Sequence, residues 1–168
     1  MVSSWGRSKM EIPKTKSEWA WDIVGYTFFI GSILLLMLVW SNLPEKVPGH
    51  YNAAGEVDRW GAKGELFILL GVGLFILILM QVFERFPETH NYPARLNESN
   101  AEQFYLHSRK LINRIKNICL ILFSFILYES ISIALGWGSG FGIWFLPLTI
   151  IGTGIPIVHG VLQQRKIQ

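Results

Sequence analysis

The chain has 168 residues, of which 51% are hydrophobic and 14% aromatic but only 16% charged. Soluble domains carry about 25% charged residues, so a water-soluble globule is excluded. The formal net charge of +3 reads as lysines and arginines that fix membrane topology rather than as a nucleic-acid footprint, and a lone cysteine, Cys119, forms no intrachain disulfide.

Taken in order, the chain opens with a segment, 1–22, that holds Arg7, Lys9, Lys14 and Lys16. No small-residue cleavage site follows the first apolar run, which is therefore expected to stay as an anchor and not to be removed as a signal peptide. Apolar runs at 23–41, 66–83, 117–136 and 143–162 each approach the ~20 residues that cross a bilayer. The expected fold class is an all-α integral membrane protein with four transmembrane helices and a structured loop between spans one and two. It is one membrane domain, because the polar stretch 84–116 is too short for a separate soluble unit.

Lys and Arg number four before span one, six in 84–116 and two in the tail 163–168, against three in 42–65 and none in the turn 137–142. Twelve against three predicts both termini in the cytoplasm and the 42–65 loop outside. Trp19 and Trp21 at the inner end, with Trp40, Trp60, Trp137 and Trp144 at the outer end, fit interfacial belts. Within 84–116, the two prolines and two asparagines of 87–97 mark an irregular loop, after which Ser99 and Glu102 form a capping-box pattern. Apolar residues at helical spacing from Phe104 to Ile115 then predict one helix from about Asn100 through the third span. This basic, amphipathic stem suits either a seat on anionic headgroups or a docking surface for a cytoplasmic partner.

Ionisable groups inside spans are costly and mark candidate sites. Glu129 lies seven residues before Gly136, about 10 Å below the outer end of span three. Tyr128, Glu129 and Ser132 are expected to form a polar stripe toward the bundle interior. The carboxyl is expected either protonated or paired with His50, Arg59 or Lys63, under a loop that caps the bundle. His159 in span four falls near the inner end, with Asp22 as its geometric partner. Pro147 and Pro156 with Gly152 and Gly154 predict a kinked or broken span four.

The 42–65 loop is richest in special residues: Pro48, His50, Asn52, Gly55, Glu56, Asp58, Arg59 and Lys63 crowd into it. Pro44 and Pro48 force extended or turn geometry, while Asn52 to Gly55 can close a tight turn with glycine at positive φ, so a hairpin-like cap is expected. His50, Glu56 and Asp58 are acceptable zinc or manganese ligands, although their spacing matches no standard zinc motif. The same residues also suit loop-internal hydrogen bonds or a peptide or lipid contact surface. Ser, His and Asp all occur, but nothing in their spacing assembles a nucleophilic site, which favours a non-enzymatic protein without cofactor.

The string LPEKVPGHYNAAGEVDRWGAK over 43–63 resembles the signature loop of the SdpI-like bacterial membrane proteins, LPxxVPxHxNxxGEVDxWGxK. The stem with Ser108, Arg109 and Leu111 is similar to the stem before that family's third span. The resemblance implies a multi-pass protein of the bacterial cytoplasmic membrane that touches the lipid bilayer and binds, or protects against, a secreted peptide toxin or other envelope-active peptide. Two other functions use the same residues: a small proton-coupled transporter through Glu129, or a metal-dependent membrane enzyme on His50, Glu56 and Asp58.

Overall fold

The structure, a computed structural model, describes residues 7–168; the first six residues of the N-terminal segment lie outside the described residues. Four helices are long and apolar enough to cross a membrane: α1 (Lys16–Val39), α2 (Leu66–Arg85), α3 (Ala101–Ala134) and α4 (Phe145–Gln164). A two-stranded sheet, β1 (Lys46–Tyr51) and β2 (Val57–Ala62), stands between α1 and α2. The protein is a multi-pass membrane protein, and its faces confirm the solvent it is built for. Ile23, Phe28 and Leu38 on α1, Phe75 and Ile78 on α2, and Ile151 and Ile155 on α4 all point away from the bundle.

α3 is the axis, because α1, α2 and α4 all pack against it. Where α1 meets α2, a Cβ placed on Gly73 would lie 2.6 Å from the Phe29 ring, so the missing side chain is what lets the ring seat between the helices. At the end that carries the hairpin, Leu36, Val39, Leu43, Val47, Leu66, Leu127 and Ile131 form one buried cluster. Val47 of β1 is fully buried there, so the hairpin closes the bundle as a plug.

At the opposite end, Phe104 and Tyr105 on the first turns of α3 are fully buried with Tyr92 and Ala101, beneath Met10, Ile12, Leu96 and Ile167. The apolar face of the stem is therefore covered by the protein's own N-terminal segment, 87–97 loop and tail rather than by headgroups. Tyr92 donates to Pro87 O at 2.8 Å, and burial pushes its hydroxyl up to about 12.

Two local expectations fail. Ser99 and Glu102 form no capping box: the N-cap is Asn100, and Asn97 Oδ1 instead accepts from Ser99 N–H at 2.9 Å and Ser99 Oγ at 2.6 Å. An asparagine that folds back on the next two residues competes with the cap one step further on. Of the two forms expected of span four, kinked or broken, the broken one fails, since α4 runs continuously through Pro156.

Candidate functional site

The loop of special residues folds as an antiparallel hairpin. Lys46 pairs with Ala62, Val47 with Gly61 and Pro48 with Trp60, and two irregularities follow around His50 before Tyr51 meets Val57. Asn52 builds the turn: its Oδ1 accepts from Ala54 N–H at 2.9 Å and Glu56 N–H at 3.0 Å, while its Nδ2 donates to Glu56 Oε2 at 2.9 Å. Gly55 takes φ +78°, and a Cβ there would lie 2.5 Å from Gly142 O, so both dihedral and space require glycine.

His50, Arg59 and Lys63 each have their own carboxylate. His50 Nδ1 lies 2.6 Å from Asp58 Oδ1, and Lys63 Nζ lies 2.9 Å from Glu45 Oε1. Arg59 donates to Glu65 Oε2 at 2.8 Å and to Gly49 O at 2.7 Å, and Glu65 draws the guanidinium further above its ordinary range. Glu56 is held by Asn52, away from the His50–Asp58 pair. Among the described residues no group of three or more His, Cys, Asp or Glu side chains is placed to hold a metal ion.

The hairpin meets α3 through Tyr51, whose hydroxyl is 2.8 Å from Ser130 Oγ and whose ring packs edge-on to Phe141 at 4.6 Å. Burial, with the nearby Glu129 charge as a lesser cause, pushes the Tyr51 hydroxyl up. Gly55 O accepts from Phe141 N–H at 3.2 Å. Glu129 is partly buried at this junction, but it accepts from Gly140 N–H at 3.2 Å rather than from a loop base, which corrects the expected pairing with His50, Arg59 or Lys63. Ser132 is buried, whereas Tyr128 is 47% exposed, so the expected stripe divides: its tyrosine faces outward.

His159 and Asp22 do not meet. His159 is exposed beside Gln163, and Asp22 belongs to a buried ionic cluster at the opposite end of the bundle from the hairpin. Lys116 Nζ, fully buried, lies 2.9 Å from Asp22 Oδ1, 2.7 Å from Glu84 Oε1, 3.1 Å from Gln81 Oε1 and 3.2 Å from the Tyr26 hydroxyl. Lys14 pairs with Asp22 and lies 3.7 Å from Glu84. Asn113 and Asn117 donate to Asp22 Oδ1 at 2.8 and 2.9 Å. Two carboxylates thus face two ammonium groups, and the cluster is neutral. One turn further toward the termini, Arg109 donates to Glu18 Oε1 at 2.7 Å and to Pro13 O at 2.8 Å. Sequence reading counted Arg109 and Lys116 as topology charges and missed both networks. Their signal was one ionisable residue of matching depth on each of three helices: Asp22, Glu84 and Lys116.

Comparison with known proteins bears on the hairpin and its flanks. Residues 27–74, from the middle of α1 through the hairpin into α2, match the family model described as a domain of unknown function (DUF1648). An uncharacterized protein of Archaeoglobus fulgidus is 38% identical over 79 residues, which is 45% of this chain. The match spans 40% of that relative's length. No solved structure matches.

Proposed function

We propose that this protein is a non-enzymatic membrane protein of the SdpI-like kind, whose hairpin lies outside a bacterial cytoplasmic membrane and protects against a secreted, envelope-active peptide by binding it. The observation that carries this reading is the hairpin's arrangement on the bundle. β1 packs against α3, and among the described residues the sheet has two strands, so β2 has no further strand on its outer edge there. Asp58, Arg59 and Trp60 on β2 are exposed, with Trp60 at 51%. A free edge accepts an extended peptide through main-chain hydrogen bonds, and an exposed tryptophan between charges supplies an anchor for an amphipathic chain.

The test is survival of cells that lack or overproduce the protein, challenged with a panel of secreted membrane-active peptides. Overproduction should protect against at least one peptide, and Trp60→Ala should remove the protection without lowering the amount of protein in the membrane. Equal survival across the panel would overturn the reading. Proton movement into liposomes, lost in Glu129→Gln, would replace it with a proton-coupled carrier.

A further inference from the structure

α4 rests on α3 along a seam that the hairpin does not reach. His107 Nε2 lies 2.8 Å from Gly160 O, and the Leu111 methyls occupy the space a Cβ on Gly160 would need. Beside this clasp is a recess of about 250 Å³ lined by His107, Lys110, Arg114 and His159. Further along the seam, toward the hairpin end, is an apolar groove of about 560 Å³ lined by Trp21, Ile121, Phe125, Phe145, Leu148 and Pro156. On α3 the lining positions 107, 110, 114, 118, 121 and 125 recur every three or four residues, so recess and groove lie on one face of the helix. Arg114 and Phe125 are about 16 Å apart along the axis.

The charges of the recess are set apart by burial without a partner. Lys14, Arg59, Lys63, Arg109 and Lys116 have carboxylate partners, and the other described Lys and Arg residues outside the recess, Lys46, Arg85 and Arg95 among them, are exposed to solvent. Lys110 and Arg114, both half-buried, have none within 4 Å among the described residues, and no carboxylate lines the recess or the groove. Two half-buried cations with no counter-ion form a site for an anion, and the apolar groove leading from them is open to the bilayer. Basic pockets between spans take anionic headgroups, and Trp21, which its place before the first apolar run puts in the expected inner interfacial belt, lines the groove. We infer that the α3–α4 seam binds an anionic phospholipid of the surrounding bilayer, its phosphate against Lys110 and Arg114 and one acyl chain in the groove. The lipid fills the wedge between α1 and α4, two helices joined mainly through α3.

The test is native mass spectrometry of the full chain in detergent after exchange into mixed micelles of phosphatidylglycerol or of phosphatidylcholine with the same acyl chains. Wild type should retain phosphatidylglycerol roughly tenfold better than phosphatidylcholine. Lys110→Gln/Arg114→Gln should lose that preference, and Lys110→Arg/Arg114→Lys should keep it. Excess inorganic phosphate should leave the bound lipid in place, because phosphate cannot fill the groove. Equal retention of both lipids by wild type overturns the proposal whether or not the variants fold. Release by phosphate, or unchanged preference in the folded glutamine variant, also overturns it.

Discussion

Lys116 on α3 holds Glu84 of α2 at 2.7 Å and Asp22 of α1 at 2.9 Å, with all three side chains at most 3% exposed. One ammonium thus fixes the depth of three helices against one another. Removing one partner of a buried pair leaves the other charge uncompensated, which costs about 3–5 kcal/mol, whereas replacing the whole group with neutral residues is much cheaper. Lys116→Met should therefore destabilise the protein in detergent by several kcal/mol. The triple variant Asp22→Asn, Glu84→Gln, Lys116→Met leaves Lys14, whose side chain is 27% exposed and can turn its ammonium to water, and should regain most of the loss. Thermal unfolding of the single and triple variants measures this, and strictly additive losses would show that the three groups are not coupled.

Gly55 is doubly constrained, by φ +78° and by Gly142 O at 2.5 Å from any added Cβ. Gly55→Val strains the backbone by about 1–3 kcal/mol and pushes the hairpin off the 136–142 turn, which breaks the Phe141 N–H to Gly55 O bond. Limited proteolysis should then cut within residues 52–56 in the variant and leave wild type intact. Equal resistance would mean that the turn accommodates a side chain.

What the sequence made legible follows from two strong periodic signals. Four apolar runs gave the four helices, and the prolines, Asn52 and Gly55 gave the hairpin, because turn chemistry is local. Positive φ at Gly55 was readable for the same reason. The partners of Glu129, Asp22 and Lys116 were not readable, since each depends on which helix faces meet, and composition does not carry helix rotation. Glu129 was expected either protonated or paired with a loop base, because its depth near the outer end of span three puts the loop's cations within reach. In the fold, Asp58, Glu65 and Glu45 already hold them, and a backbone N–H takes the carboxyl.

The twelve-to-three charge bias predicts that the hairpin lies outside and the 99–100 turn inside. Ala53 and Ser99 are both exposed, so cysteines placed there, one at a time and with Cys119 replaced, report the two faces. A membrane-impermeant thiol reagent on intact cells should label only Ala53→Cys. Labelling of Ser99→Cys alone would invert the topology.

His90 gives the terminal end a pH dependence. Its Nδ1 lies 2.7 Å from Ser108 Oγ and its Nε2 lies 3.0 Å from Phe83 O. Burial lowers its pKa below 6.5, outweighing the opposing pull of the Phe83 carbonyl and the Glu88 charge. The unfolded chain therefore binds the proton more readily than the folded one, so this contribution to stability is fully present above about pH 6.5 and is lost as pH falls toward the folded pKa. The difference in unfolding temperature between wild type and His90→Gln should shift against wild type between about pH 7.5 and pH 5. A pH-independent difference would show that the imidazole does not change its protonation on folding.

Glu129 is the remaining case, and its geometry makes a definite prediction. One carboxylate oxygen accepts from Gly140 N–H at 3.2 Å, and no Lys, Arg or His nitrogen among the described residues lies within 4 Å of it. Glu129→Gln keeps an acceptor of the same reach and strands no buried cation, so it should cost less than about 1 kcal/mol. Glu129→Leu removes the acceptor at the turn that seats the hairpin, and should cost about 1–3 kcal/mol with increased proteolysis of the 136–142 segment. His50, Arg59 and Lys63 are paired elsewhere, so neutralising any of them together with Glu129→Gln should give additive losses to within about 0.5 kcal/mol. Coupling of Glu129 to a loop base would place the carboxyl in the hairpin's ion pairs and remove its role as a backbone acceptor beneath the 136–142 turn.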